Sequence, residues 1–282
     1  MAIYILTDST ADYLPDEAER RGVWVAPLRV QFGEETYQSG ADPDYAGFYR
    51  RLESAKELPT TSQAGPDDFM PWFRQVKENG DSLICVLIAS SLSGTYQSAV
   101  IAKEMCGYER IHMVDSTQTV LGLRLLVDLA CLLRDQGLDA PAIVERLEQA
   151  KGRVRLLAIV DTLKYLHKGG RLPAAVSIAG GLLKVKPIIT LRGGQIGLVG
   201  KGMGTKGSLT SFIKLLGGGL RQDVHLPVYY GYTADGALCR EMMIQVQAAF
   251  GRHRCEVHPV GPVIGTHVGP GAAVIVYLER EG

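Results

Sequence analysis

Residues 82–99 read SLICVLIASSLSGTYQSA, an unbroken apolar run that stops at a cluster of serines, a glycine and a threonine. The run is well short of the ~18 apolar residues that span a bilayer. Its lack of alternation predicts a strand buried on both faces. Residues 93–106 then carry helical spacing. A strand that becomes a helix through Ser90, Ser91, Ser93, Gly94 and Thr95 sets hydroxyls where an α/β sheet exposes its binding or reactive atoms.

The same alternation extends to both sides. IYILTDS (3–9) is a short apolar run ending in polar residues, and Pro15 to Arg21 is a short helix closed by Gly22. VWVAPLRVQF (23–32) is strand-like but broken at Pro27. Residues 43–56 and 66–78 have helical spacing, the second opened by Pro66, Asp67 and Asp68. RIHMVDS (110–116) is a strand, and 117–136 a long apolar helix. Strands alternating with helices imply a mostly parallel sheet covered on both faces. Thr7-Asp8-Ser9, Ser90-Ser91 and Asp115-Ser116 then fall at one edge of it.

After about residue 151 the character changes. Glycines cluster, and strand-like pieces recur at LLAIV, KPIITL, IGLVGK, LPVYYGY, CEVHPVG and AAVIVYLE. The expectation is an N-terminal α/β domain over 1–151 and a smaller C-terminal α/β domain over 152–282, with mixed or antiparallel pairing and a binding cleft between them.

Composition narrows the function. The chain has 282 residues, 46% of them hydrophobic, enough for a substantial core. Thirty Lys and Arg balance thirty Asp and Glu, which argues against a nucleic-acid binder. The five cysteines form no CxxC pair, so neither a zinc site nor a disulfide framework is expected. The N-terminus MAIYILTDST lacks the pattern of a signal peptide, and no run is long enough for a membrane span. These features predict a cytoplasmic protein.

Several segments could carry chemistry. SSLSGT lacks the first glycine of the GxSxG hydrolase elbow, so Ser93 is a nucleophile, an anion-binding group at a helix N-terminus, or a plain cap. A hydrolase would pair Ser93 with His267 and an acid such as Asp115. LPTTSQAGP (58–66) reads as a loop before a helix. GTHVGPGA (265–272) holds His267 on a glycine-shaped loop. GMGTKG (202–207) matches GxGxxG, the basis of a nucleotide-dependent alternative, but Asp223 does not close a second strand, so a turn or hinge is the better reading.

Taken in order, TDSTADYLP, PTTSQ, SSLSGTYQSA, the VDS strand end, LKYLHKGGRL, KPII and GTHVGPGA resemble the DegV family across almost the whole chain. The resemblance implies a two-domain protein holding one long-chain fatty acid, needing no other cofactor, and not itself an enzyme. It implies a role as the lipid-binding subunit of a fatty acid kinase. A separate ATP-dependent kinase subunit would form the acyl phosphate for phospholipid synthesis, with at most transient membrane contact. By motif, Thr61, Ser62, Ser93, Gly94 and His267 would meet the carboxylate. Lys168 and Arg171, with Lys164 and His167, would form a basic cluster facing the kinase, Arg171 lying toward the kinase or the cleft. Two positions depart from the family pattern: Met203 stands where arginine is common, and Pro173 where serine is usual.

Overall fold

The computed structural model describes residues 2–39, 44–172, 184–217 and 219–281. Pro173 falls outside that range.

The chain opens with β1 (Ile3–Asp8) and α1 (Pro15–Arg21). Pro15 sits in the first turn of α1, where a missing N–H costs nothing. Asp16 and Glu17 follow at the positive end of the helix dipole, and Gly22 closes the helix at φ 62°. Pro27 divides the next apolar stretch into β2 (Val23–Ala26) and β3 (Arg29–Phe32), which enter different sheets. β3 lies between β4 (Glu35–Gln38) and β5 (Thr60–Ser62) in a small antiparallel sheet, with α2 (Tyr45–Ser54) connecting those two.

Alternation then resumes with α3 (Pro66–Asn79), β6 (Ser82–Leu87), α4 (Thr95–Cys106), β7 (Ile111–Asp115), α5 (Val120–Asp135) and α6 (Ala140–Lys151). The parallel sheet has the order β2-β1-β6-β7, and every residue of β6 is buried. Its three polar strand ends therefore share one edge. A buried carboxylate fastens two of them: Asp8 accepts from the Ile88 N–H at 2.7 Å, and from the Thr10 N–H and hydroxyl at 3.0 and 2.6 Å.

The second half supplies β8 (Val154–Ile159), α7 (Lys164–Lys168), β9 (Val185–Arg192), β10 (Gln195–Met203), α8 (Gly204–Leu216), β11 (Val228–Tyr232), α9 (Ala237–Phe250), β12 (Cys255–Pro259), α10 (Pro262–Val268) and β13 (Ala273–Leu278). Six strands form a mixed sheet in the order β10-β9-β8-β13-β11-β12, antiparallel except between β11 and β12. It is the wider of the two large sheets. Gly193 (φ 54°) and Gly194 (φ 77°) make the tight turn between β9 and β10, where two successive positive φ angles favour glycine.

One core runs from Ile5, Leu83 and Leu125 on the parallel side to Leu156, Val274 and Val276 on the mixed sheet. α8 and α9 cover the far face of that sheet with Phe212 and Met242. Helix α5 bridges the halves through a polar cluster. Arg124 is fully buried; it lies 4.2 Å from the Tyr13 ring centroid, donates to the Asp12 carbonyl at 3.1 Å, and pairs with Glu17. One turn on, Asp128 accepts from the hydroxyls of Tyr13 and Tyr229, both at 2.5 Å, and pairs with Arg21 at 2.8 Å. Tyr229 belongs to β11, so a single carboxylate ties α5, α1 and the Tyr13 segment to the mixed sheet.

Removing a buried guanidinium is costly, because the half-buried Glu17 carboxylate and the buried Asp12 carbonyl lose their donor. Arg124→Met is expected to lower the unfolding free energy by about 3–5 kcal/mol. Urea unfolding with an unchanged slope and a lower midpoint is the expected observation.

Candidate functional site

A cavity of about 310 Å³ lies where the two sheets meet, with walls that include Leu156 and Ala158 of β8, Ile189 and Leu191 of β9, and Val263 and Ile264 of α10. Thr61, Ser62, Ser93, Gly94, Arg171 and His267 all line it. The structure therefore brings together residues spread over more than 200 positions of sequence.

Each arrives by a different route. Thr60–Ser62, expected as loop, is strand β5: Thr61 pairs with Val30, which fixes its side chain relative to the sheet. Its hydroxyl meets His267 Nε2 at 2.8 Å. His267, expected on a loop, sits in the last turn of α10, and the glycine turn follows it. Gly265 disguised this helix. A Cβ there would lie 2.5 Å from the Tyr49 hydroxyl, so the helix can approach α2 only with glycine at that position. Gly94 precedes α4, and a Cβ on it would meet Gln63 Oε1 at 2.0 Å. Gln63, from the PTTSQ segment and also lining the cavity, donates to Ser98 Oγ at 2.7 Å. Ser93 Oγ lies 2.9 Å from Thr95 Oγ1 and accepts from the Thr95 N–H at 3.3 Å.

Arg171 belongs to the cavity wall and is only partly exposed. Its Nε donates to the Leu92 carbonyl at 3.2 Å and its Nη1 to the Gly169 carbonyl at 2.6 Å. The guanidinium is thereby held at the start of the serine-rich turn, on the cleft side of the two positions open to it. Lys164, His167 and Lys168 are exposed on or beside α7.

Burial pushes the His267 imidazole down to about 4, and the charge of Arg171 adds to the effect. The ring is neutral near pH 7, and its Nδ1 is buried with no partner. Gly169 makes the room: a Cβ there would lie 2.3 Å from Nδ1.

Ser93, His267 and Asp115 do not assemble into a hydrolytic triad. Ser93 is engaged with Thr95, His267 with Thr61, and Asp115 with the Ser90 hydroxyl at 2.5 Å. The dinucleotide reading also fails. GMGTKG joins β10, at the sheet edge, to α8, and the next strand, β11, lies four places away rather than alongside. Gly202 serves packing instead, since a Cβ there would sit 2.2 Å from Ser208 Cα. Among the described residues no cluster of His, Cys, Asp and Glu is placed to hold a metal, and no helix is long and apolar enough to cross a membrane.

Fold and cavity together define an α/β protein with two large sheets and a small third one, whose interior offers apolar walls and one hydroxyl-lined region. The chain belongs to the DegV family: the family model described as "uncharacterised protein, DegV family" matches residues 2–280. A DegV domain-containing protein of Halalkalibacterium halodurans is 35% identical over 282 residues, 99% of each chain. A solved DegV family protein from Thermus thermophilus, described for its fatty acid binding, superposes with a TM-score of 0.89 at 30% identity, covering 99% of this chain and 100% of that one. DegV of Bacillus subtilis, described as a fatty acid binding protein, has a TM-score of 0.84 at 30% identity, again over 99% and 100%. Relatives of known structure in this family thus bind fatty acids.

The depressed His267 value has a thermodynamic consequence. The unfolded chain takes up this proton near pH 6.5, whereas the folded chain resists until about pH 4. The neutral ring's contribution is therefore present above pH 6.5 and lost as pH falls toward 4. Other groups titrate in the same window, so the comparison is with His267→Gln, which lacks this one. Between pH ~7 and ~4.5 the stability difference is expected to move in the variant's favour by roughly 2–3 kcal/mol, measured by urea unfolding without ligand.

Proposed function

We propose that this chain is a cytoplasmic carrier of one long-chain fatty acid. The acyl chain occupies the cavity, and the carboxylate meets Thr61, Ser62, Ser93, Gly94 and His267. The observation that carries this reading is the convergence of those residues on one apolar cavity without a nucleophile–base pair beside them. No cofactor beyond the lipid is required, and the protein is not itself an enzyme. The descriptions of the Thermus and Bacillus relatives support the ligand class.

Hydrogen bonds to a charged group are worth about 1.5–3 kcal/mol each, whereas each buried methylene contributes about 0.8 kcal/mol. The chain therefore supplies most of the affinity and the hydroxyl cluster its orientation. Organic extraction followed by mass spectrometry is expected to release one long-chain fatty acid per protein. Thr61→Ala or Ser93→Ala is expected to weaken binding about tenfold with the protein still folded. Protein from a lipid-replete host that yields no fatty acid would end this reading.

The resemblance adds a partner: a separate ATP-dependent kinase that phosphorylates the presented carboxylate for phospholipid synthesis. Exposed Lys164 and Lys168 supply charge for docking beside His167, with Met203, 62% exposed, in place of the family's arginine. Rim charges act on association more than on affinity. In a reconstituted reaction Lys168→Glu is expected to slow acyl-phosphate formation while leaving lipid binding unchanged, most clearly at low ionic strength. Equal rates for the variant and the wild type would remove Lys168 from the docking surface.

A further inference from the structure

A second groove, of about 780 Å³, shares no lining residue with the apolar cavity. It runs along the outer edge of the parallel sheet, where β2 is the last strand. Val23, Trp24 and Val25 of β2 line it, with Glu19 of α1 and Asp67 and Trp72 of α3. β2 pairs with β1 alone. Along a strand, alternate residues turn their N–H and C=O groups to opposite sides. Half of those groups on β2 therefore face away from β1, and among the described residues none of them is bonded to another backbone. An edge with free donors and acceptors is a template for one more strand.

The charge of this groove has one sign. Glu19, Asp67 and Asp68 line it, and among the described residues no lysine or arginine does. Asp68 is paired with Arg29 at 2.7 Å, whereas Glu19 and Asp67 are exposed and make no ion pair among the described residues. Arg134, which reaches Gly22 at the groove wall, is engaged with two backbone carbonyls and Asp135. The chain has two tryptophans, and both line the groove. Their rings stack with centroids 6.1 Å apart, and Trp24 stacks in turn on Tyr4 at 4.5 Å. Partly exposed indoles beside free carboxylates favour a cationic ligand. A second copy of this chain does not match that charge: a two-fold contact through β2 would set Glu19 and Asp67 against the same acids of the other copy.

We infer that a lysine- or arginine-rich segment of another protein binds this groove in extended form and adds a strand to the edge of β2. The four residues of β2 span about 13 Å, which a segment of similar length matches. Backbone hydrogen bonds to the edge align the segment, and its cationic groups meet Glu19, Asp67 and the indole faces. The inference goes beyond the carrier reading and stands without it.

The probe is the end-blocked heptapeptide Val-Lys-Lys-Val-Lys-Lys-Val, which carries lysine on both faces when extended. It is titrated into the full-length protein with tryptophan emission as the readout. The peptide is expected to shift that emission saturably and to bind about tenfold tighter than the same peptide with glutamate for lysine. Glu19→Gln combined with Asp67→Asn should lose most of that preference and melt close to the wild-type temperature, since both side chains are exposed. Strand pairing is tested by N-methylating the peptide, once at its odd-numbered and once at its even-numbered residues. Only the set facing β2 matters, so one form should bind about tenfold more weakly and the other as before. Equal binding of the lysine and glutamate peptides overturns the inference, and so does unchanged binding of both methylated forms. A dimer in sedimentation equilibrium that Val25→Lys dissociates gives the edge to a second copy and overturns it too. Each of these results leaves the carrier reading standing.

Discussion

The site depends on a carboxylate that never meets water. Asp8 ends β1, and its two oxygens accept from the Ile88 N–H beyond β6 and from Thr10. Parallel strands release their chains at one edge, where backbone donors lose their ladder partners and need others. Burial pushes the Asp8 carboxyl upward while its hydrogen bonds pull the other way. Fastened in this way, the end of β6 delivers the SSLSGT turn to a fixed place, and Ser93 and Gly94 stand at the start of α4 because of it. The Ser90–Asp115 bond holds the neighbouring end of β7 to the same turn.

The mixed sheet supplies the opposing wall, and its attachment is polar as well as apolar. Asp128 on α5 accepts from Tyr229 on β11, while Ser91 Oγ donates to the Gly194 carbonyl in the β9–β10 turn at 2.6 Å. The hairpin tip is thereby pinned beside the serine-rich turn, and Arg171 reaches back to the carbonyl of Leu92 from the other side. The walls of the cavity thus come from elements that the chain makes far apart, and hydrogen bonds rather than shape alone fix their alignment.

Much of this was legible in the residues, and the gaps have physical causes. A strand buried on both faces advertises itself as a continuous apolar run, so β6 was readable; β7 was readable from its place in the alternation, and all six strands of the mixed sheet appeared as separate apolar pieces. Proline at 27 marked a true break, although not that its two sides join different sheets. β5 was missed because Thr60–Ser62 offers no apolar alternation; only its pairing with β3 makes it a strand. Helix α10 was missed because glycine at 265, needed for contact with Tyr49, weakens the helical pattern. The cluster of Arg124, Glu17, Asp128 and Tyr229 joins positions about a hundred residues apart, and no local signal announces such a pairing.

Charge is arranged sparingly at the proposed head-group site. A neutral His267 can offer a carboxylate a single donor, and Arg171 already spends two of its N–H groups on backbone carbonyls. An ionised acid brought there is thus met mainly by hydroxyls and helix N–H groups, which polarise without carrying full charge. A bound carboxylate would also oppose the two influences that keep His267 neutral, raising its proton affinity toward the range in which the ring becomes a cation. Binding and protonation at this site are then linked through one hydrogen-bonded pair, Thr61 and His267. The same pair joins the small antiparallel sheet to α10 across the cavity wall, so a change in the head-group contacts is felt by two elements at once.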